Sequence, residues 1–343
     1  MKVKALCPVM CLVFCAFAAP SLVTAEGAES TSPAPPEFSG PDFKAVLSLQ
    51  GTGDPKISPD GGSIVYTTYR ADWEDNRFDA ELWLARRGEE PFQLTRTDGE
   101  SSSDASWSPD GEWIAFTADR GDGAQIWLIS PNGGEARPLT AVEDGVSAFE
   151  WSPDGNHMAV AITDRRDPQR KKLEETYGEF AIEDHDFRST HLWVLDVKAS
   201  LAADAASELP AEETGDDDGE AEEGEGDKED KAMAFRRLTV GGNFTVGTFR
   251  WSPDGTKIAF DHRPDPRVES RSKTNLSIVD VETAEVTELV AQPGPDSDPH
   301  WSPSGKWILF STGDGNPAYY LNSELAKVAV DGGNSVVLTE DLD

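Results

Sequence analysis

Trp107-Ser108-Pro109-Asp110-Gly111, followed after Glu112 by the apolar run Trp113-Ile114-Ala115-Phe116, is the stretch whose reading decides the fold. Related copies stand at Ile57-Ser58-Pro59-Asp60-Gly61, Trp151-Ser152-Pro153-Asp154-Gly155, Trp251-Ser252-Pro253-Asp254-Gly255 and Trp301-Ser302-Pro303-Ser304-Gly305. Proline presets φ for the first corner of a type I turn, Asp or Ser tolerates the second, and Gly takes the next position without steric cost. The flanking runs are short and rich in Trp, Ile, Val and Phe, which suits pleated strands better than helices. A second run follows each first one, as in Ile126-Trp127-Leu128-Ile129, and then a leucine, usually with threonine, as in Leu139-Thr140. A fixed-period array of such units predicts an all-β chain, a β-propeller of four-stranded blades with five repeat units present.

The spacing sharpens this. From Leu94 to Ser108, Leu139 to Ser152, Leu238 to Ser252 and Leu289 to Ser302 the distance is 14, 13, 14 and 13 residues, so the step between blades is constant. From each turn serine to the leucine of its own unit it is 36, 31, 86, 37 and 36, so only the third unit is expanded. Two insertions account for the expansion, 165–189 and 199–234, and loops are where repeat architectures admit them.

The first 25 residues read as a secretory signal peptide: Lys2 and Lys4, an apolar stretch from Leu6 to Leu22, then the small residues around Ala25. Residues 26–37 read as a flexible tether, and 38–343 as the propeller. Cys7, Cys11 and Cys15 all lie in the leader, so the mature chain is expected to hold no disulfide and to reside in the periplasm or outside the cell. No second long apolar segment follows, hence no membrane span is expected. The formal charge is −34, and loss of Lys2 and Lys4 makes it −36, which argues against nucleic acid as a partner. Much of the acid sits in 204–231, where 14 Asp and Glu meet only Lys228 and Lys231, a composition that buries too little to order itself.

No catalytic motif emerges. Gly145-Val146-Ser147-Ala148-Phe149 lacks the closing glycine of a nucleophile elbow, and there is no metalloprotease motif, cysteine pair or phosphate loop, so no catalytic residue, metal or cofactor is expected in this chain. Asp60, Asp110, Asp154 and Asp254 recur at one position of the repeated turn, which Ser304 takes in the fifth copy, and therefore serve the turn. Trp83, Trp127 and Trp193 share one phase of the third strand and read as packing between sheets, and His300 reads the same way. The insertion after Arg165 opens with a basic, helix-like piece and ends Tyr177-Gly178-Glu179-Phe180-Ala181-Ile182-Glu183-Asp184-His185-Asp186-Phe187-Arg188. Acidic, aromatic and arginine side chains at that density suit a pocket for a charged ligand, or a loop whose charges pair among themselves. Arg70 to Arg77 is a smaller departure of the same kind in blade one.

These turns, the blade-three segment Asp186-Phe187-Arg188 through Thr190-His191-Leu192-Trp193, and the entry Pro41-Asp42-Phe43-Lys44 resemble the amino-terminal propeller of secreted bacterial serine peptidases of the prolyl oligopeptidase family. The resemblance is to the acylaminoacyl-peptidase and dipeptidyl-aminopeptidase branch and covers about residues 38–343. The periplasmic Tol-system propeller protein shares the turn repeat, so the blade-three insertion is the more specific match. The resemblance implies a propeller that caps an α/β-hydrolase domain and admits short peptides to a serine nucleophile. It further implies acidic propeller residues that hold a free amino terminus, with Glu179, Glu183, Asp184 and Asp186 as candidates and Arg188 offered to a carbonyl or carboxylate.

The hydrolase domain is missing from this sequence. The spacing places the next turn serine near position 351 or 352, beyond Asp343, and the family's propellers have more than five blades. An incomplete ring is therefore expected, a portion of a peptidase inactive by itself. The alternative is a non-enzymatic periplasmic propeller that uses one rim for a protein partner.

Overall fold

The computed structural model describes residues 40, 42–97, 100–121, 123–178, 187–202, 234–241, 244–316 and 323–340. The expected leader and tether, and residues 203–233 of the acidic stretch, lie outside these. The chain divides into compact units at 1–46 and 47–343. In the first, the Ala45 amide donates to Asp42 Oδ1 at 2.6 Å at the start of the helix Phe43–Leu47. The second holds five four-stranded antiparallel sheets, each strand paired with its neighbours in sequence. Blades one to five span 51–93, 102–138, 148–237, 245–290 and 296–337. The all-β propeller expected from the repeat is what the chain forms.

Each signature turn joins the first and second strands of a blade. In blade two these are Ser102–Trp107 and Ile114–Asp119. The Gly111 amide donates to Ser108 O at 2.9 Å, and Gly111 sits at φ 73°, where a side chain is strained. Ser108 Oγ donates to Asp110 Oδ1 at 2.5 Å and accepts the Trp113 amide at 2.9 Å, while the Glu112 amide donates to Asp110 at 3.0 Å. The same bonds recur in blades one, three and four. The serine hydroxyls hold Asp60, Asp110 and Asp254 below the usual carboxylate range. Burial opposes this at Asp154, yet bonds from Ser152 and Asn156 take it to about 2. The repeated aspartates are turn residues.

The tryptophan that opens the turn has a second task. Trp107 Nε1 donates to Lys56 O at 3.0 Å, Trp251 Nε1 to Glu150 O at 3.2 Å and Trp301 Nε1 to Arg250 O at 2.9 Å. Each bond crosses from the first strand of one blade to that of the blade before it.

Period-2 alternation then buries both faces of the inner blades. Ala115, Ile126, Leu128 and Leu139 of blade two pack against Trp151, Met158, Val160 and Leu195 of blade three. Similar clusters join blades one and two, three and four, and four and five. No strand pairing or core cluster among the described residues joins blade five to blade one, and the ring is open.

Candidate functional site

The first-to-second strand turns are nearly identical, whereas the opposite rim, made by the second-to-third strand connections, varies from blade to blade. In blade one the hairpin runs on to the pair Asp72 and Arg77, with strands of 10 residues against 6 in blade two. In blade three the connection carries the helix Pro168–Tyr177. In blade four it carries the single 3-10 turn Val268–Lys273.

Blade three concentrates charge there. The helix starts on Asp167, whose Oδ1 accepts the Gln169 amide at 2.8 Å, with Pro168 at its first position. Arg170 Nε donates to Glu174 Oε1 at 3.1 Å, and Arg166 reaches the other oxygen at 3.1 Å. Arg188 pairs with Asp144, from the blade-two to blade-three connection, and donates to Asp164 O at 3.3 Å. Asp144 itself is aimed by a close backbone approach. Gly123 and Gly145 have φ 87° and 82°, and a Cβ on Gly145 would lie 2.6 Å from Ala124 N. Only glycine fits both the space and the conformation.

Of the residues singled out in the sequence, Glu179, Glu183, Asp184 and Asp186 lie outside the described residues. Arg188 is engaged by Asp144 rather than presented alone. Asp144, Asp164 and Arg237 were not singled out, because they stand 44, 24 and 49 positions from Arg188 and nothing local marks them. His300 does not pack in the core as expected: half its side chain is exposed, and Nε2 lies 3.4 Å from Asp298 Oδ1. Trp127 and Trp193 pack into inter-blade clusters, each under a guanidinium, Arg120 at 3.7 Å and Arg237 at 5.3 Å from the ring centroid.

One arrangement has the order of a catalytic triad. Asp164 Oδ2 lies 3.3 Å from His191 Nε2, and His191 Nδ1 lies 3.2 Å from Thr239 Oγ1. Burial pushes Asp164 up, but His191 and Arg237 outweigh it and hold the carboxyl below its ordinary value. The array is structural. Thr239 Oγ1 is buried and accepts the Leu192 amide at 2.9 Å. The same latch recurs as Thr95 to Leu82 N and Glu81, Thr140 to Ile126 N and Gln125, and Thr339 to Leu325 N and Glu324. The threonine of each Leu-Thr pair therefore ties the end of a blade to its third strand.

A cleft of about 620 Å³ lies on blade one, lined by Arg70, Asp72, Arg77, Asp79, Glu81 and Trp83 among others. Arg70 reaches Asp79 at 3.3 Å, and Arg77 reaches Asp72 at 3.5 Å. Burial raises the Glu81 pKa even though Thr95 and Thr97 donate to it. The departure seen at Arg70 to Arg77 thus forms a polar cleft with charges of both signs. Among the described residues no group of three His, Cys, Asp or Glu is placed to hold a metal ion. No helix among them is long and apolar enough to cross a membrane.

An open array of four-stranded blades joined by near-identical first-to-second strand turns defines a propeller. Residues 41–179 match the TolB beta propeller domain family. An uncharacterized peptidase of Bacillus subtilis, YuxL, is 29% identical over 275 residues, 79% of this chain and 30% of the relative. Dipeptidyl-peptidase 5 of Porphyromonas endodontalis is 24% identical over 278 residues, 77% of this chain and 37% of the relative. The chain spans about a third of the length of these curated relatives. Among solved structures, the acylaminoacyl peptidase of Pyrococcus horikoshii superposes with a TM-score of 0.57 at 16% identity, covering 88% of this chain and 41% of that one. The chain is a β-propeller whose first blades are similar to the TolB beta propeller domain family and which, over about three quarters of its length, is similar to proteins named as peptidases.

Proposed function

We propose that this propeller is the substrate-gating portion of a secreted serine peptidase that releases aminoacyl or dipeptidyl units from short peptides. The observation that carries the reading is sequence kinship with peptidases along more than three quarters of the chain. The variation of the second-to-third strand connections supports it, because loops that vary on a fixed scaffold are how a specific recognition surface is acquired. In this reading the leader exports the protein, and an α/β-hydrolase domain supplies the nucleophile, base and oxyanion donors. The ammonium of a peptide falls to Glu179, Glu183, Asp184 or Asp186. Arg188 serves a carbonyl or carboxylate by exchanging it for Asp144.

The test is to read the source gene beyond the codon for Asp343. An in-frame continuation with further blades, a G-x-S-x-G elbow and downstream Asp and His is the expected result, together with a purified 343-residue chain that hydrolyses no aminoacyl or dipeptidyl p-nitroanilide. A stop codon there overturns the reading and leaves the second one, a non-enzymatic interaction propeller, which the TolB-family match favours.

A further inference from the structure

In four blades the latch threonine meets a side chain of the third strand: Glu81, Gln125, His191 and Glu324. In blades one and two that side chain also accepts the amide two positions past the threonine. Thr97 donates to Glu81 at 2.8 Å and Val142 to Gln125 at 2.9 Å, so the latch holds the exit to the next blade. In blade three His191 turns its second nitrogen to the insertion instead, and Nε2 lies 3.3 Å from Asp164 Oδ2. Asp164 stands at the base of that insertion. Its amide donates to Ser189 O at 2.8 Å, Arg237 donates to its Oδ1 at 2.9 Å, and Arg188 donates to its carbonyl at 3.3 Å.

The proton positions follow from the bonds. Thr239 Oγ1 accepts the Leu192 amide, as its counterparts accept those of Leu82, Ile126 and Leu325. Its own hydrogen therefore goes to the side chain on the third strand, as in blades one, two and five. That makes His191 Nδ1 the acceptor and puts the ring proton on Nε2, facing Asp164. Glutamate, the residue of blades one and five, has no proton for this contact and would set a second carboxylate against Asp164. The ring is fully buried, and Phe244 lies nearly parallel to it, with 10° between the planes and 6.3 Å between centroids, which fixes its orientation. We propose that His191 is the positioning residue of the blade-three recognition surface: neutral, with its proton on Nε2, it joins the Thr239 latch to Asp164 and so fixes the base from which Arg188 is presented. It acts as outer-shell partners do elsewhere, orienting a group that makes the contact without making it itself. The anchoring stands alone, and its bearing on recognition rests on the role proposed for Arg188.

The test has two readouts on the full chain. With histidines labelled by nitrogen-15, magnetic resonance at about pH 8, above the ordinary histidine range, is expected to show His191 in the Nε2–H form, its signal assigned by its loss in His191→Gln, which carries the residue of blade two. The Nδ1–H form, or a ring protonated on both nitrogens, overturns the proposal. The second readout is native-state digestion with trypsin, which cuts after lysine and arginine. His191→Glu keeps an acceptor for Thr239 and removes the donor to Asp164. Cleavage between Arg165 and Arg188 is expected to quicken by about tenfold, as loss of a hydrogen bond to a charged group implies, with the urea midpoint and cleavage elsewhere as in wild type. An unchanged rate overturns the proposal, and so does a rate that rises only with a lowered midpoint, since that is a general loss of stability. Asp164→Asn, which leaves the Thr239 latch intact, is held to the same expectation and decides the matter where His191→Glu fails to fold. Neither readout uses a peptide substrate, so their failure leaves the peptidase reading standing, and a stop codon after Asp343 leaves the anchoring standing.

Discussion

Glu150 offers the sharpest test of how the seams are held. It lies on the first strand of blade three, half-buried at the seam with blade four, and its Oε2 accepts the Trp251 amide at 3.2 Å. Burial raises its pKa from 4.5 to about 7, although Arg250 and the Trp251 amide pull the other way. A folded-state pKa above the unfolded one means that the group's contribution to stability is complete below about pH 4.5 and is lost as pH rises through about 7. At about 1.36 kcal/mol per unit, the whole loss has a ceiling of about 3.4 kcal/mol, of which about 2 falls between about pH 5.5 and about pH 8.5. Partial solvation reduces that share to about 1 kcal/mol. Glu150→Gln keeps an acceptor for the Trp251 amide and removes the charge. In urea unfolding the variant should therefore gain about 1 kcal/mol on wild type between those two pH values. An unchanged difference between the proteins at the two pH values would falsify the assignment of a desolvated carboxyl at this seam.

Thr140→Val keeps shape while removing the acceptor for the Ile126 amide and the donor to Gln125. Denaturant titration should show a loss of about 1–3 kcal/mol, with Thr140→Ser restoring most of it. Gly145→Ala puts a Cβ 2.6 Å from Ala124 N at φ 82°, and a loss of at least about 2 kcal/mol is expected in the same assay; a neutral result would mean that the approach of 123 to 145 relaxes freely. Excising 166–187 should leave unfolding cooperative. The Asp164 amide bonds Ser189 O at 2.8 Å across the base of the insertion, Thr163 pairs with Thr190, and shortening a surface loop changes closure entropy by about 1 kcal/mol or less; a broad, non-cooperative transition would show that the insertion is part of the core.

The blades were legible in the sequence because their information is local. Pro, Asp and Gly act within five residues, and alternation acts within one strand. What ties blade to blade was not legible. The indole of Trp251 bonds a carbonyl 101 positions away, and Thr239 meets His191 only after a long insertion has been bridged. Composition gives no sign that the threonine of a Leu-Thr pair is an acceptor for the third strand. The charged rim was half legible. Arg188 and the Arg70 to Arg77 hairpin stood out because they break the repeat. Their partners Asp144, Asp164 and Asp79 are ordinary acidic residues until the fold places them.

The signature turns and the second-to-third strand connections differ for a physical reason, and that reason bears on where recognition is proposed. Each signature turn is constrained twice, by its own serine and aspartate bonds and, at three seams, by an indole reaching the preceding blade. Inserting a residue there shifts both the hairpin register and the seam, and a one-residue slip sends every apolar side chain to the wrong face. At the opposite rim the second and third strands are already fixed by the turn below them and by the threonine latch. The connection between them can lengthen without moving either strand, as the ladder from Thr163 to Thr190 shows directly beneath the insertion in blade three. Ligand recognition needs sequence freedom on a rigid support, and the second-to-third strand connections beside Arg70, Asp164 and Arg188 supply both, which is where the proposed recognition surface falls.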